Sequence, residues 1–168
     1  MEYISSDTNI WLDFCVINCI EIPFRYPCTY IMFKEALRSE IVSPPELLSD
    51  LEKNGLLGVE ITTEEFFYAL EELGKYVKLS RFDKTALAIA KFRNIPLLTG
   101  DNALKKAAQS ENVQVFGTIG LLDKLYNEKF ITKEEYDSCL KGFLDHPERR
   151  LPEEELKKRI GGEKGVDI

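Results

Sequence analysis

Short apolar runs alternate along the chain with longer stretches whose apolar residues recur every three or four positions, the signature of strands interleaved with amphipathic helices. Tyr3 to Asp7 reads as a strand with Asp7 at its C-terminal end, and Thr8 to Phe14 as the start of a helix. After Pro23 and Pro27, Thr29 to Met32 is strand-like and Phe33 to Ile41 helix-like, with Pro44 and Pro45 ending the pattern. A helix over Pro45 to Asn54 would be capped by Gly55. Gly58 to Ile61 is a short strand, and Thr62, Thr63 and two glutamates place capping groups ahead of a helical pattern from Phe66 to Leu73. The series closes with a helix over Asp83 to Arg93, a strand over Ile95 to Thr99, a helix over Asp101 to Gln109 and a strand over Val113 to Phe116. This βα order predicts an α/β fold, a mainly parallel sheet covered by helices on both faces.

From Thr118 onward the pattern is helical, through Tyr126 and then from a capping box at Thr132 to Leu144, which predicts a helical C-terminal cover. Beyond His146 the chain is charged, carries Gly161 and Gly162, and offers little to bury except Leu156 and Ile160. Fraying is expected there, so the division is a domain over 1–145 and a charged, partly flexible tail over 146–168. No internal repeat interrupts the series.

A length of 168 residues, 44% hydrophobic and 30% charged, suits one soluble domain with one well-buried core. No run approaches the roughly 20 apolar residues of a membrane span. Even Ile10 to Ile22 is broken by Asp13, Asn18 and Glu21. The N-terminus shows no basic segment followed by an apolar one, so the expected location is the cytoplasm. Cys15, Cys19, Cys28 and Cys139 lack zinc-site spacing and read as reduced, mostly buried thiols. A net charge of −7 opposes nonspecific binding to a polyanion. It opposes a metal-dependent nuclease less, since bound cations invert the local field.

The acids carry the candidate chemistry. Asp7 and Asp101 each follow a strand, where open parallel sheets bind ligands. Each also precedes a helix, and taken singly an N-cap role accounts for either one better. Asp83 shares a helix face with Ala86, Leu87 and Ala90, and a cap near the helix start explains it about as well as a ligand does. Glu35 and Glu40 compete for one further role. Phe33, Leu37 and Ile41 form a stripe with Glu40 at its border and Glu35 nearly opposite, which favours Glu40 as the inward acid.

Three stretches resemble the PIN-domain ribonucleases, among them the VapC-type toxins of toxin-antitoxin pairs. Asp7-Thr8-Asn9-Ile10-Trp11-Leu12 is similar to that family's opening motif. Leu37-Arg38-Ser39-Glu40-Ile41 is similar to its glutamate-bearing helix. The stretch from Asp83 through Thr99-Gly100-Asp101-Asn102 resembles its closing pair of aspartates, here 18 residues apart. The likeness runs from about Ile4 to Leu125, with Thr-Gly-Asp its most specific piece. It implies a three-layer α/β/α fold, metal-binding and catalytic roles for Asp7, Glu40, Asp83 and Asp101, and support from Asn9, Thr99 and Asn102. It further implies Mg²⁺ or Mn²⁺ as cofactor, RNA as substrate, and leaves room for an antitoxin partner and a homodimer.

Hard divalent cations take oxygen ligands, and clustered carboxylates repel one another unless a cation or protons compensate. A histidine-based route is disfavoured because the only histidine, His146, lies outside the motifs. Lys84, Lys91, Arg93, Lys105 and Lys106 flank the closing aspartates and could meet backbone phosphates, although solvated helix faces account for most of them. Trp11 could stack on a base but reads more simply as core. A phosphatase of similar layout needs an acid two positions after Asp7, where Asn9 stands. A phosphoreceiver needs paired acids where Ser5 and Ser6 precede Asp7. A scaffold of the same fold that binds partners without cutting is the alternative from another class.

Overall fold

The computed structural model describes residues 2–160. Five parallel strands form one sheet in the order β3-β2-β1-β4-β5: β1 Glu2–Ser6, β2 Cys28–Phe33, β3 Leu57–Val59, β4 Leu97–Leu98 and β5 Val115–Phe116. The chain builds outward from β1 to β3 on one side, then returns to lay β4 and β5 on the other. The reversal falls between β1 and β4, paired through Ser5 with Leu97 and Ser6 with Leu98. A crevice forms at such a point because the flanking connections leave on opposite faces.

The strand period separates two apolar layers. Ile4, Tyr30, Met32 and Leu98 point into a core shared with α1 (Thr8–Val16), α2 (Lys34–Glu40), α3 (Leu47–Asn54), α7 (Thr118–Asn127), α8 (Lys133–Leu144) and α9 (Glu153–Arg159). Leu97 faces the other way, into a second core with Leu87 and Ala90 of α5 (Arg81–Arg93) and Leu104 of α6 (Asn102–Ser110). Ser5 lies on this second side, where its hydroxyl donates to the Ala86 carbonyl at 2.9 Å and ties β1 to α5. The chain therefore has the three-layer α/β/α architecture. Trp11 is fully buried and stacks on Phe24 with centroids 5.1 Å apart, which fixes it as core.

Element boundaries differ from the sequence pattern where pairing or capping overrides composition. β3 lies at Leu57–Val59 rather than Gly58–Ile61 because Gly58 sits against α2. A Cβ there would meet Lys34 Cγ at 2.9 Å and Leu37 Cδ1 at 3.0 Å. α5 begins at Arg81, capped by Ser80, so Asp83 is the third helical residue of a capping box and not the first. The pattern from Phe66 to Leu73 divides into α4 (Thr63–Phe67) and a π-helical turn over Tyr68–Glu72. Gly55 caps α3 in the left-handed conformation at φ 117°, as its placement suggests.

The stretch after His146 is better anchored than its composition suggests. Leu156 is 1% exposed, and Arg159 reaches back to the buried Asp123, its Nε and Nη2 both 2.9 Å from carboxylate oxygens. The Tyr136 hydroxyl donates to the same carboxylate at 2.5 Å. Residues 161–168, the remainder of the expected tail with Gly161 and Gly162, lie outside the described residues. Composition counted apolar area and could not register a paired charge.

Removing one partner of a buried ion pair leaves the other uncompensated and costs about 3–5 kcal/mol. Arg159→Ala is therefore expected to lower the unfolding free energy by about that amount in urea titrations. Lys157→Ala, which removes only a solvent-exposed pair with Glu153, is expected to leave the midpoint unchanged. Equal midpoints for the two variants would contradict the anchoring role of Arg159.

Candidate active site

The switch point brings the two strand-end aspartates together through one hydroxyl. The Asp7 amide donates to the Leu98 carbonyl at 3.1 Å, continuing the β1–β4 pairing and setting Asp7 beside Thr99. The Thr99 hydroxyl, fully buried, donates to Asp7 Oδ2 and accepts from the Asp101 amide at 3.1 Å. Each aspartate also caps the helix that follows it. Asp7 Oδ1 accepts from the Ile10 amide at 3.3 Å, and Asp101 Oδ1 accepts from the Ala103 and Leu104 amides at 2.8 and 3.4 Å. Capping and site placement are thus compatible. In each case the cap occupies Oδ1.

Glu40 and Asp83 arrive from opposite sides of the sheet edge. Glu40, the last residue of α2, accepts from the Thr8 hydroxyl at 2.7 Å, which turns its carboxylate toward the start of α1. Asp83 is held in the Ser80 capping box by bonds of 3.0 and 3.1 Å. A cleft of about 140 Å³ is lined by Asp7, Thr8, Asn9, Glu40 and Asp83, with Phe33 and Phe82 among its apolar walls. Glu35 lies outside it and pairs with exposed Arg81, so α2 presents Glu40 to the cleft and Glu35 to solvent. Asp101 does not line the cleft. It stands beside it, between the cleft and a groove of about 690 Å³ lined by Gly100, Asn102 and Lys105.

Electrostatics join the four acids. Burial pushes the Asp7 carboxyl up to about 7, the charges of Asp83 and Asp13 adding to the rise while bonds from Thr99 and Ile10 oppose it. Asp83 is raised too, first by burial and further by Asp101 and Glu40, against the bonds from Ser80. Among the described residues no three His, Cys, Asp or Glu side chains form a group that would hold a metal ion unaided. Such a donor set fits a hydrated Mg²⁺-like ion, which takes one or two carboxylates and completes its shell with water or phosphate oxygens. Asp7 and Asp83, whose ionised forms are disfavoured, are the carboxylates such a cation would relieve.

Several supporting groups escape sequence reading. Asp13, 3% exposed, accepts from Thr118 at 2.8 Å and from Arg149 Nε at 2.7 Å, and Arg149 also donates to the Asn9 carbonyl at 3.3 Å. An acid between Leu12 and Phe14 in an apolar helix signals a buried polar group, but its arginine lies far down the chain. Thr8, which orients Glu40, carried no signal beyond the motif. Of the flanking cations, Arg93 is committed to buried Glu65 and the Glu60 carbonyl, and Lys91 donates to the Glu111 carbonyl at 2.7 Å. Neither is free for phosphate. His146 pairs with Glu148 at the surface and does not line the cleft.

Because the folded Asp7 carboxyl binds its proton more tightly than an ordinary aspartate does at 3.8, the metal-free fold loses stability as pH rises from about 4 through 7. Asp7→Asn is expected to be more stable than the parent at pH 8 in a chelating buffer by up to about 4 kcal/mol, since roughly 1.4 kcal/mol accompanies each of about three pKa units. The advantage should shrink toward pH 5. Urea titrations at the two pH values check this, and a variant destabilised equally at both would contradict the buried-charge account.

No curated protein and no solved structure matches the chain. A family model described as a PIN domain matches residues 5–162, which takes in every strand after its first residues, all four acids and the anchored helix α9. PIN domains are generally nucleases and typically use divalent metals. Spanning nearly the whole chain, that match establishes that this protein belongs to the PIN-domain family.

Proposed function

We propose that the protein is a divalent-metal-dependent endoribonuclease that hydrolyses RNA phosphodiesters, with Asp7, Glu40, Asp83 and Asp101 as its catalytic and metal-binding acids. The observation that carries this reading is the cleft at the switch point, where buried Asp7 shares one small space with Glu40 and Asp83 while Thr99 ties it to Asp101. Three carboxylates in such a space destabilise the fold unless a cation enters.

Within this reading Asp7, Glu40, Asp83 and Asp101 would hold Mg²⁺ or Mn²⁺, with Asp7 and Asp83, whose ionised forms are disfavoured, the most relieved by it. A cation bound there supplies Lewis-acid polarisation of the phosphodiester and a lowered pKa for attacking water. Thr99 fixes the Asp7 carboxylate, and Thr8 fixes that of Glu40. Asn9 lines the cleft and Asn102 the adjoining groove, from which their amides can meet substrate oxygens. Water attacks phosphorus and gives up a proton to solvent, the bond to the leaving ribose oxygen breaks and that oxygen takes up a proton, and the products are two shorter strands, one ending in a phosphate and the other in a hydroxyl.

A toxin role, with an antitoxin that blocks the cleft, a homodimer and a cytoplasmic location are further parts of the proposal, supported by family membership alone. Among the described residues no helix is long and apolar enough to cross a membrane. A non-cutting scaffold is favoured by two observations: the net charge of −7, and the backbone bonds that already occupy Asp83 and Asp101.

Purified, antitoxin-free protein is expected to degrade single-stranded RNA with Mn²⁺ or Mg²⁺ and not in EDTA. Asp7→Asn and Glu40→Gln should fall to background, Thr99→Val should lose about 10- to 100-fold as a support of a metal ligand, and Lys157→Ala, at an exposed pair remote from the cleft in sequence, should match the parent. Neither Mn²⁺ binding by calorimetry nor cleavage of any RNA tested would leave the scaffold reading in its place.

A further inference from the structure

The face beside the acid cleft exposes more aromatic surface than a small acidic protein needs. On α4 and the π-helical turn after it, Phe66 is 49% exposed and Leu70 61%. With Phe33, Ile61, Ala69 and Glu35, which pairs with Arg81, they line a groove of about 250 Å³ whose other wall is the first turns of α5, at Arg81, Lys84 and Thr85. Phe33 lines this groove and the acid cleft alike, and Phe82 faces it across the ridge between them with ring centroids 6.3 Å apart. Arg81 and Lys84 flank Asp83 in sequence, so the cations of the groove and the acid of the cleft come from one helical turn. The Arg81 guanidinium lies over the Phe82 ring at 4.6 Å, and Lys84 makes no ion pair among the described residues.

Resting on the nuclease reading, we infer that this groove is a nucleobase subsite, which seats the unpaired base of the nucleotide next to the bond cut in the cleft. Three features select that occupant. The groove lies below the roughly 300–1,000 Å³ of sites for drug-sized ligands, which suits one base and is too small to seat a partner helix. One wall is apolar and aromatic, at Phe33, Phe66 and Leu70, as a π-face requires, while the facing turn of α5 is polar and its Arg81 is neutralised by Glu35. The unpaired Lys84 lines the groove and directly follows Asp83 of the cleft on the same helical turn, so it can meet the phosphate that links the two. Such a pocket admits a base only from an unstacked strand, so the subsite selects single-stranded over duplex RNA.

The test is fluorescence anisotropy of a labelled single-stranded RNA of mixed sequence, in the Asp7→Asn background so that the probe stays intact, compared with an abasic chain of equal length. Phe66→Ala combined with Leu70→Ala is expected to weaken the RNA about tenfold and the abasic chain not at all, and Lys84→Ala to weaken both. In the cleaving protein, KM should rise with kcat held. Both side chains are half-exposed, so the pair should fold, as circular dichroism would verify. Unchanged RNA affinity and unchanged KM overturn the subsite while leaving cleavage, and thus the nuclease reading, intact. Base-dependent binding without cleavage in the parent retains the groove and removes the nuclease. A shift from dimer to monomer in sedimentation, with RNA affinity unchanged, assigns the groove to a second copy and overturns the inference.

Discussion

A single buried hydroxyl organises the functional end of this molecule. Thr99 donates to the Asp7 carboxylate and accepts from the Asp101 amide, and it does so where the sheet changes direction between β1 and β4. Parallel pairing of Ser6 with Leu98 brings the two strands to the same level, so the next residues of each chain segment meet. Without that register, Asp7 would cap α1 and Asp101 would cap α6 as unrelated surface features. With it, they become neighbours whose charges must be reconciled.

Reconciling them shapes the rest. The Asp7 carboxyl is raised to about 7, first by burial and then by acids from α5 and α1, so ionisation of the metal-free site weakens the fold. The scaffold tolerates this because the strain is local. Two apolar layers enclose the sheet, capping boxes at Thr62, Ser80 and Thr132 close three helix starts, and the Arg159–Asp123 pair locks the final helix to α7. Stability stored away from the cleft permits a cluster that would unfold a weaker frame.

The parallel α/β order was legible because each element carries its own period, and the strand-end acids were legible because topology assigns function to strand ends. Helix geometry favoured Glu40 over Glu35 without deciding between them, and the structure turns the first into the cleft and leaves the second with Arg81. What sequence could not supply was pairing across distance. Arg149 on Asp13, Arg159 on Asp123 and Thr99 on Asp7 each join residues whose proximity depends on the finished fold. The same limit explains Arg93, which composition offers to phosphate and the structure gives to Glu65. Asp83 showed a milder form of it: its helix begins two residues earlier than the acid suggests, because Ser80 makes the cap.

The most direct test of a cation-centred cleft is the anomalous scattering of a crystal grown with Mn²⁺. The account expects a peak within coordination distance of Asp7, with Asp83, Glu40 and Asp101 disposed around it directly or through water. A fully occupied Mn²⁺ elsewhere on the surface, with the Asp7 cleft filled only by water, would contradict it.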